Sequence, residues 1–176
     1  WLGGFELLFG NLLDDHGFVL FRGFDIVDHH CFHQVVESFD YPNFRYADSF
    51  SNAVRTNRTE RVFTANEAPP SVEIFLHHEM AQTLTFPSRL FFYCEQAATT
   101  GGATPICRSD LALTTLEDSS PSFIARLREQ GVRYRNTMPA VADQGSGQGR
   151  SWRDTLGVST RNEAAEKLSA LGYTFH

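Results

Sequence analysis

The sequence predicts an α+β fold in which helices are attached irregularly to an antiparallel sheet. Strand and helix signals follow one another without the regular βαβ succession of a parallel sheet. Aromatic residues make up 13% of the chain, with 16 Phe, and such side chains suit a core of sheets packed face to face. Because 176 residues is the length of one domain, we expect a single globular unit over residues 1–176.

Five short segments carry strand signals. Residues 17–26 open with alternating and then continuous apolar residues between two glycines. The other four segments are residues 61–65, 72–76, 89–94 and 104–107. Residues 67–71 contain two adjacent prolines, which remove two backbone donors, so we expect a loop there. Residues 141–149 are rich in Gly and Gln and are predicted to form a mobile loop.

The first predicted helix follows Asp28, which is a favourable N-cap, and runs to about Phe39. Its apolar positions have the spacing of one buried stripe: Phe32, Val35, Val36 and Phe39. The spacing leaves a polar face toward water, formed by His29, His30, His33 and Glu37.

Two further helices are predicted downstream of the strand segments. Ser109 is the expected N-cap of a helix that ends near Leu116. Another helix begins at Ser120, with Pro121 in its first turn, and is ended by Gly131. Its expected inner face consists of Phe123, Ile124 and Leu127.

The last helix is predicted from a capping box. Thr160 and Glu163 have the spacing at which each side chain bonds the other residue's backbone N–H. We expect this helix to stop at Gly172.

Composition argues against several classes of partner. The net charge is −6 and the pI is near 5.6, so no clustered positive charge attracts nucleic acid or anionic lipid. No apolar run approaches the length that spans a bilayer.

Three cysteines at irregular spacing match neither a disulfide framework nor a zinc motif, which favours a cytoplasmic location. The chain begins at Trp1 without a signal segment, so we expect a fragment boundary there.

The stretch "LHHEM" contains the chemistry-bearing residues His77, His78 and Glu79. If it is a strand, residues two apart share a face, so His77 pairs with Glu79 and His78 points away. An imidazole and a carboxylate on one face are two of the three ligands that hold non-haem Fe(II). The alternative is an ordinary polar histidine at a strand end.

Four segments together resemble the TauD/TfdA-type Fe(II)/2-oxoglutarate-dependent dioxygenases. They are "GFVLFRGF", "LHHEM", "FPSRLFFYCEQAATTGGATPI" and "SWRDTLG", and their order and spacing cover nearly the whole chain. The His-x-Glu pattern is similar to the branch that includes clavaminate synthase-like enzymes. The "GG-x-TP" element a short way after it is the most specific of these signals.

The resemblance implies a double-stranded β-helix (jelly-roll) core with flanking helices, incomplete at the C-terminus. It implies that His77 and Glu79 bind Fe(II) and that Thr104 hydrogen-bonds a carboxylate of the cosubstrate 2-oxoglutarate. The implied activity is oxidation of a C–H bond of a small metabolite by dioxygen, coupled to decarboxylation of 2-oxoglutarate. Because the carboxylate ligand is retained at Glu79, the resemblance favours hydroxylation, desaturation or cyclisation over halogenation.

The family's third ligand, a histidine, and the arginine that pairs with the distal carboxylate of 2-oxoglutarate lie further downstream than this chain extends. After Glu79 the sole histidine is the terminal His176, a poor position for a precise metal site. The chain is therefore either a fragment of a longer enzyme or a degenerate relative. We expect the fragment, inactive by itself, of an enzyme that acts on a small carboxylate or amine-bearing substrate. The oligomeric state is not predicted.

Two other interpretations stay open at this point. One is a zinc site formed by His29, His33 and the pair His77 and Glu79, although the HExxH motif is absent. The other is a metal-free barrel that acts as a binding module.

Overall fold

The computed structural model describes residues 6–69, 71–143, 145–146 and 148–176. These residues form six α-helices and a single-turn 3-10 helix: α1 Glu6–His16, α2 His29–Glu37, the 3-10 helix Tyr46–Asp48, α3 Ser109–Ser119, α4 Pro121–Gln130, α5 Trp152–Leu156 and α6 Arg161–Ala170. An isolated antiparallel bridge joins Asn57 and Phe63. In this described part of the chain, no helix is long and apolar enough to cross a membrane.

The five predicted strands do not form within the described residues. Of these segments, residues 61–65 alone take part in β-pairing, through Phe63 in the isolated bridge. Side chains that were expected between packed sheets are exposed, for example Leu90 at 49% and Phe92 at 73%. Hydrophobic alternation selects a segment that suits a strand, but the strand itself requires backbone hydrogen bonds to a neighbour. The predicted sheet and its jelly-roll arrangement are therefore not confirmed.

The contacts divide the chain into two compact units, which are described separately. The first unit consists of Trp1–Asp40 and Cys94–Arg135, and the second consists of Tyr41–Tyr93 and Asn136–His176. The expectation of a single domain over residues 1–176 stays a prediction.

Helix α1, which the sequence analysis did not anticipate, belongs to the aromatic core of the first unit. Phe9 on this helix lies 5.2 Å from Phe21 and 5.6 Å from Phe39, measured between ring centroids. Phe39 is 4% exposed. The first unit also contains α2, α3 and α4.

Helix α2 begins after Asp28, the N-cap that the sequence predicts. The Asp28 carboxylate accepts a hydrogen bond from the Cys31 backbone N–H at 2.8 Å, which lowers the pKa of Asp28. The helix ends at Glu37, two residues before the predicted end at Phe39. Cys31, Cys94 and Cys107 are free thiols.

Helices α3 and α4 confirm their predicted positions in part. Ser109 was expected to cap α3 but is its first residue, and Arg108 is the N-cap, without a side-chain bond to the helix. The Arg108 guanidinium instead pairs with Asp110 in the first turn. Helix α4 begins at Pro121 and ends before Gly131, as predicted. On its expected inner face Ile124 is buried, whereas Phe123 is 44% exposed.

Helix α6 carries the complete capping box that the sequence predicts. Thr160 Oγ1 accepts from the Glu163 backbone N–H at 3.2 Å. The Glu163 carboxylate accepts from the backbone N–H groups of Ser159 at 2.8 Å and Thr160 at 3.2 Å, which lowers its pKa. Gly172, just beyond the helix, has a φ of +76°, which glycine adopts without strain.

The second unit is organised around a small core of Tyr46, Ala53 and Met80, with Phe44 and Phe63 packed against it. The Tyr46 hydroxyl donates to the Ala53 carbonyl at 3.0 Å and lies within hydrogen-bond distance of Ser51 Oγ, at 2.9 Å. The predicted loop over residues 141–149 forms turns in its described part, in which the Asp143 N–H donates to the Gly149 carbonyl at 2.8 Å. Residues 144 and 147 of that loop, and Pro70 of the predicted loop at 67–71, lie outside the described residues.

Candidate metal centre

Glu79 is the least exposed of the three residues His77, His78 and Glu79. Its side chain is 18% exposed and forms an ion pair with Arg55, whose side chain is 13% exposed. A single nitrogen, Arg55 Nη2, donates to both carboxylate oxygens, at 3.1 and 3.2 Å. Because this nitrogen is charged and meets both oxygens, it holds the Glu79 carboxylate in place.

Arg55 is itself held by neighbours of the second unit's core. Its Nη1 donates to the Thr64 carbonyl at 3.3 Å. Its guanidinium carbon lies 5.1 Å from the centroid of the Tyr46 ring and 5.5 Å from that of Phe63. These are cation–π distances, which are favourable in a partly buried setting.

Met80 anchors the backbone beside Glu79. Its side chain is 3% exposed and packs with Tyr46 and Ala53. Its φ is +58°, a left-handed conformation that non-glycine residues seldom adopt unless the surrounding structure requires it. Both members of the Arg55–Glu79 pair are therefore attached to the same core through Tyr46.

His77 is exposed, and its ring orientation is set by a local hydrogen bond. Its Nδ1 lies 2.6 Å from the Phe75 carbonyl oxygen. Since a carbonyl only accepts, Nδ1 carries the proton in this contact. In the neutral imidazole, Nε2 then keeps the lone pair that binds a metal, and this backbone contact is a usual way of fixing a ligand histidine.

His77 and Glu79 do not lie on a strand, so the prediction that they share one face of a strand is wrong. Glu79 lies in a turn, where the Ala81 N–H bonds to the His78 carbonyl at 3.4 Å and the Thr83 N–H to the Met80 carbonyl at 3.0 Å. Alternation of side chains between faces applies to extended backbone and not to a turn. Among the described residues, no three His, Cys, Asp or Glu side chains are close enough together to hold a metal ion.

Thr104 lies in the first unit and is exposed. It follows the predicted Gly-Gly turn, in which Gly101 and Gly102 have φ values of +66° and +73°. A Cβ built on Gly102 would lie 2.6 Å from the Cβ of Ala98, so glycine is needed there for space as well as for backbone conformation. The turn is confirmed, and the role of Thr104 stays a prediction.

The histidines of α2 have carboxylate neighbours of their own. His29 Nδ1 lies 2.9 Å from Glu95 Oε1, and His33 Nε2 lies 3.9 Å from Glu37 Oε2, one turn along the helix. These contacts fit a polar helix face. They give no support to the zinc interpretation.

Arg55 is the residue that the sequence analysis missed. It lies 24 positions before Glu79, at a separation that no helix or hairpin rule connects. No sequence signal identifies it, because the burial that makes the Glu79 carboxylate require a hydrogen-bonded cation is itself a property of the folded chain.

Comparison with known proteins gives a consistent result over most of the chain. The family model described as "Taurine catabolism dioxygenase TauD, TfdA family" matches residues 7–166. A clavaminate synthase-like protein of Arabidopsis thaliana is 41% identical over 162 residues, which are 92% of this chain and 48% of the relative. The dapdiamide synthesis protein DdaC of Enterobacter agglomerans is 28% identical over 152 residues, 86% of this chain and 43% of that protein. The chain thus spans about half the length of these curated relatives, and it belongs to the TauD/TfdA dioxygenase family.

Proposed function

We propose that the full-length protein is a non-haem iron oxygenase that couples oxidative decarboxylation of 2-oxoglutarate to hydroxylation, or a related C–H oxidation, of a small metabolite. The observation that carries this proposal is the family match over residues 7–166, which includes the His-x-Glu motif. Fe(II) and 2-oxoglutarate are the implied cofactor and cosubstrate, and dioxygen is the oxidant.

The donor chemistry of the described residues fits two of the three ligand positions. In the tautomer whose Nδ1–H is bonded to the Phe75 carbonyl, His77 Nε2 carries the lone pair that can bind a metal. Each Glu79 oxygen accepts one N–H from Arg55 and keeps a second lone pair. An imidazole and a carboxylate belong to the ligand set that non-haem Fe(II) oxygenases use. We assign neither the third ligand nor the arginine for the distal carboxylate within this chain.

Thr104 is the proposed contact to a carboxylate of 2-oxoglutarate. Its hydroxyl can donate to an anion, and it is exposed just beyond the Gly101–Gly102 turn. The two glycines lack side chains, which permits close approach of a ligand to the backbone. The exchange Thr104→Val keeps the shape and removes the donor, so we expect it to raise the KM for 2-oxoglutarate more than it lowers kcat.

When bound, Fe(II) with 2-oxoglutarate supplies the oxidation, in which one oxygen atom of dioxygen enters succinate and the other is available for the substrate. His77 and Glu79 hold the cation in this scheme, and Thr104 orients the keto acid. The protein's own contribution is to position the target carbon and to keep water away from it.

The test compares Glu79→Ala with His78→Ala in the full-length protein. Wild-type protein loaded with Fe(II) and 2-oxoglutarate without oxygen should show the visible charge-transfer band of that complex. It should form succinate when oxygen is admitted. We expect Glu79→Ala to abolish both signals and His78→Ala to retain much of each.

Three outcomes would contradict the proposal. Equal loss of the charge-transfer band and of succinate formation in the two variants would contradict the assignment of Glu79, and not its neighbour His78, as the ligand. Zinc retained by the wild-type protein in place of iron would favour a zinc-binding relative. Binding of neither metal nor 2-oxoglutarate would favour a metal-free binding module.

A further inference from the structure

We infer that Arg55 is a positioning residue that holds the Glu79 carboxylate in the position at which it binds a divalent cation. The inference rests on the proposed function of His77 and Glu79 and adds a residue that the His-x-Glu motif does not contain. It is drawn from the ion pair in which Arg55 Nη2 meets both oxygens of Glu79.

The ion pair removes the freedom that Glu79 would otherwise lose on binding a metal. A glutamate side chain loses rotamer entropy when it is fixed in one conformation. Here the fixing contact is present within the protein itself, and the second lone pair of each oxygen is left for a cation. Pre-ordering by a neighbour of this kind favours binding, because the entropy is lost on folding and not on association.

The guanidinium is suited to this role because it is immobilised on three sides. The Thr64 carbonyl accepts from Nη1 at 3.3 Å, and the rings of Tyr46 and Phe63 lie near the guanidinium carbon. A lysine ammonium is a compact donor without a planar fork, so it cannot reproduce this set of contacts.

Repulsion between the Arg55 charge and the cation acts in the opposite direction. The size of this repulsion depends on local screening, because two unit charges interact more strongly where less water surrounds them. Residues that hydrogen-bond ligating carboxylates in metalloproteins favour binding on balance, since their loss typically costs 10–100-fold in metal affinity. At Arg55, the gain in metal affinity from holding the carboxylate in place therefore exceeds the loss from charge repulsion.

Arg61 provides a matched control within the same unit. Its Nη1 also donates to a backbone carbonyl, that of Tyr41, at 3.0 Å. In both arginines Nε is buried without a hydrogen-bond partner. Arg61 differs from Arg55 in its partner, because its guanidinium donates to a backbone carbonyl, whereas that of Arg55 also donates to a carboxylate.

The experiment measures the Kd of Mn(II), a redox-stable probe, by electron paramagnetic resonance of the free ion in full-length wild-type protein and variants. We expect Arg55→Met to weaken Mn(II) binding about 10–100-fold and Arg61→Met to leave it near the wild-type value. Arg55→Lys should recover part of the loss, because it restores a charged donor. Near-UV circular dichroism and Tm of each variant report separately on folding.

The outcomes separate this inference from the proposed function. Unchanged or tighter Mn(II) binding in Arg55→Met would overturn the inference alone. Wild-type protein that binds no Mn(II) would overturn both. If Arg55→Met does not fold, the comparison of Arg55→Lys with Arg61→Lys decides: weaker binding in the first supports the inference, and equal binding overturns it.

Discussion

The side-chain amides of Asn52 and Asn136, 84 positions apart in sequence, bond to each other in both directions within the second unit. Asn136 Nδ2 donates to Asn52 Oδ1 at 3.1 Å, and Asn52 Nδ2 approaches Asn136 Oδ1 at 3.5 Å. Asn52 Nδ2 also donates to the Gln148 carbonyl at 2.9 Å, and Asn52 is 1% exposed. A buried amide with all of these partners joins the segment before Arg55 to residues 136–150.

We expect Asn52→Ala to lower the free energy of unfolding by about 1–3 kcal/mol, because it removes the hydrogen bonds of an amide that is buried in the fold. The measurement is urea unfolding of the full-length protein. Asn43→Ala is the matched control, since the Asn43 amide donates to the Glu60 carbonyl at an exposed site. A similar change in both variants would contradict the view that burial makes the Asn52 contacts important.

Gly101 and Gly102 allow a test of what the tight turn requires. Both have positive φ, so alanine at either position carries a backbone cost of about 1–3 kcal/mol. Gly102→Ala should be the more destabilising, because its added Cβ would overlap Ala98, whereas Gly101 faces open space. Thermal unfolding of the two variants checks this order. Equal Tm values would show that the contact with Ala98 relaxes freely.

The capping box predicts a pH dependence of stability. The hydrogen bonds from the backbone N–H groups of Ser159 and Thr160 lower the pKa of Glu163 in the folded protein. Its contribution is therefore fully present above the unfolded pKa, about 4.3, and is lost as the pH falls through the lower folded value. Glu163→Gln keeps an acceptor but not the charge, so wild type should exceed it in Tm at pH 7. The difference should vanish in acid, and a constant difference would contradict the assignment.

Those parts of the fold that depend on short-range contacts were predictable from sequence. The caps at Asp28 and Thr160 and the stop at Gly131 each involve residues within four positions of one another. The short helix α5 was missed, because its five residues carry too little periodicity to be recognised. The strands were predicted and do not form in the described residues, since a strand depends on a partner that alternation does not identify.

The same distinction between short-range and long-range contacts applies to the candidate site. The motif drew attention to His77 and Glu79, and family membership is consistent with that choice. The backbone at Glu79 is a turn, which the sequence analysis replaced by a strand because Val72 to Leu76 is rich in apolar and β-branched residues. Arg55 became visible only in the folded chain, where the core around Tyr46 brings it to the carboxylate.

The jelly-roll fold that we propose from the family requires residues 89–94 to pair as a strand in the full-length protein. The exposed side chains of Leu90 and Phe92 would then be covered, and backbone amides in this segment would exchange slowly with solvent. Hydrogen-exchange mass spectrometry of the full-length protein measures this directly. Val141, which is 79% exposed in a loop, provides a fast-exchanging reference. Exchange over residues 89–94 as fast as around Val141 would rule out the strand, because an unpaired amide in water has no protection.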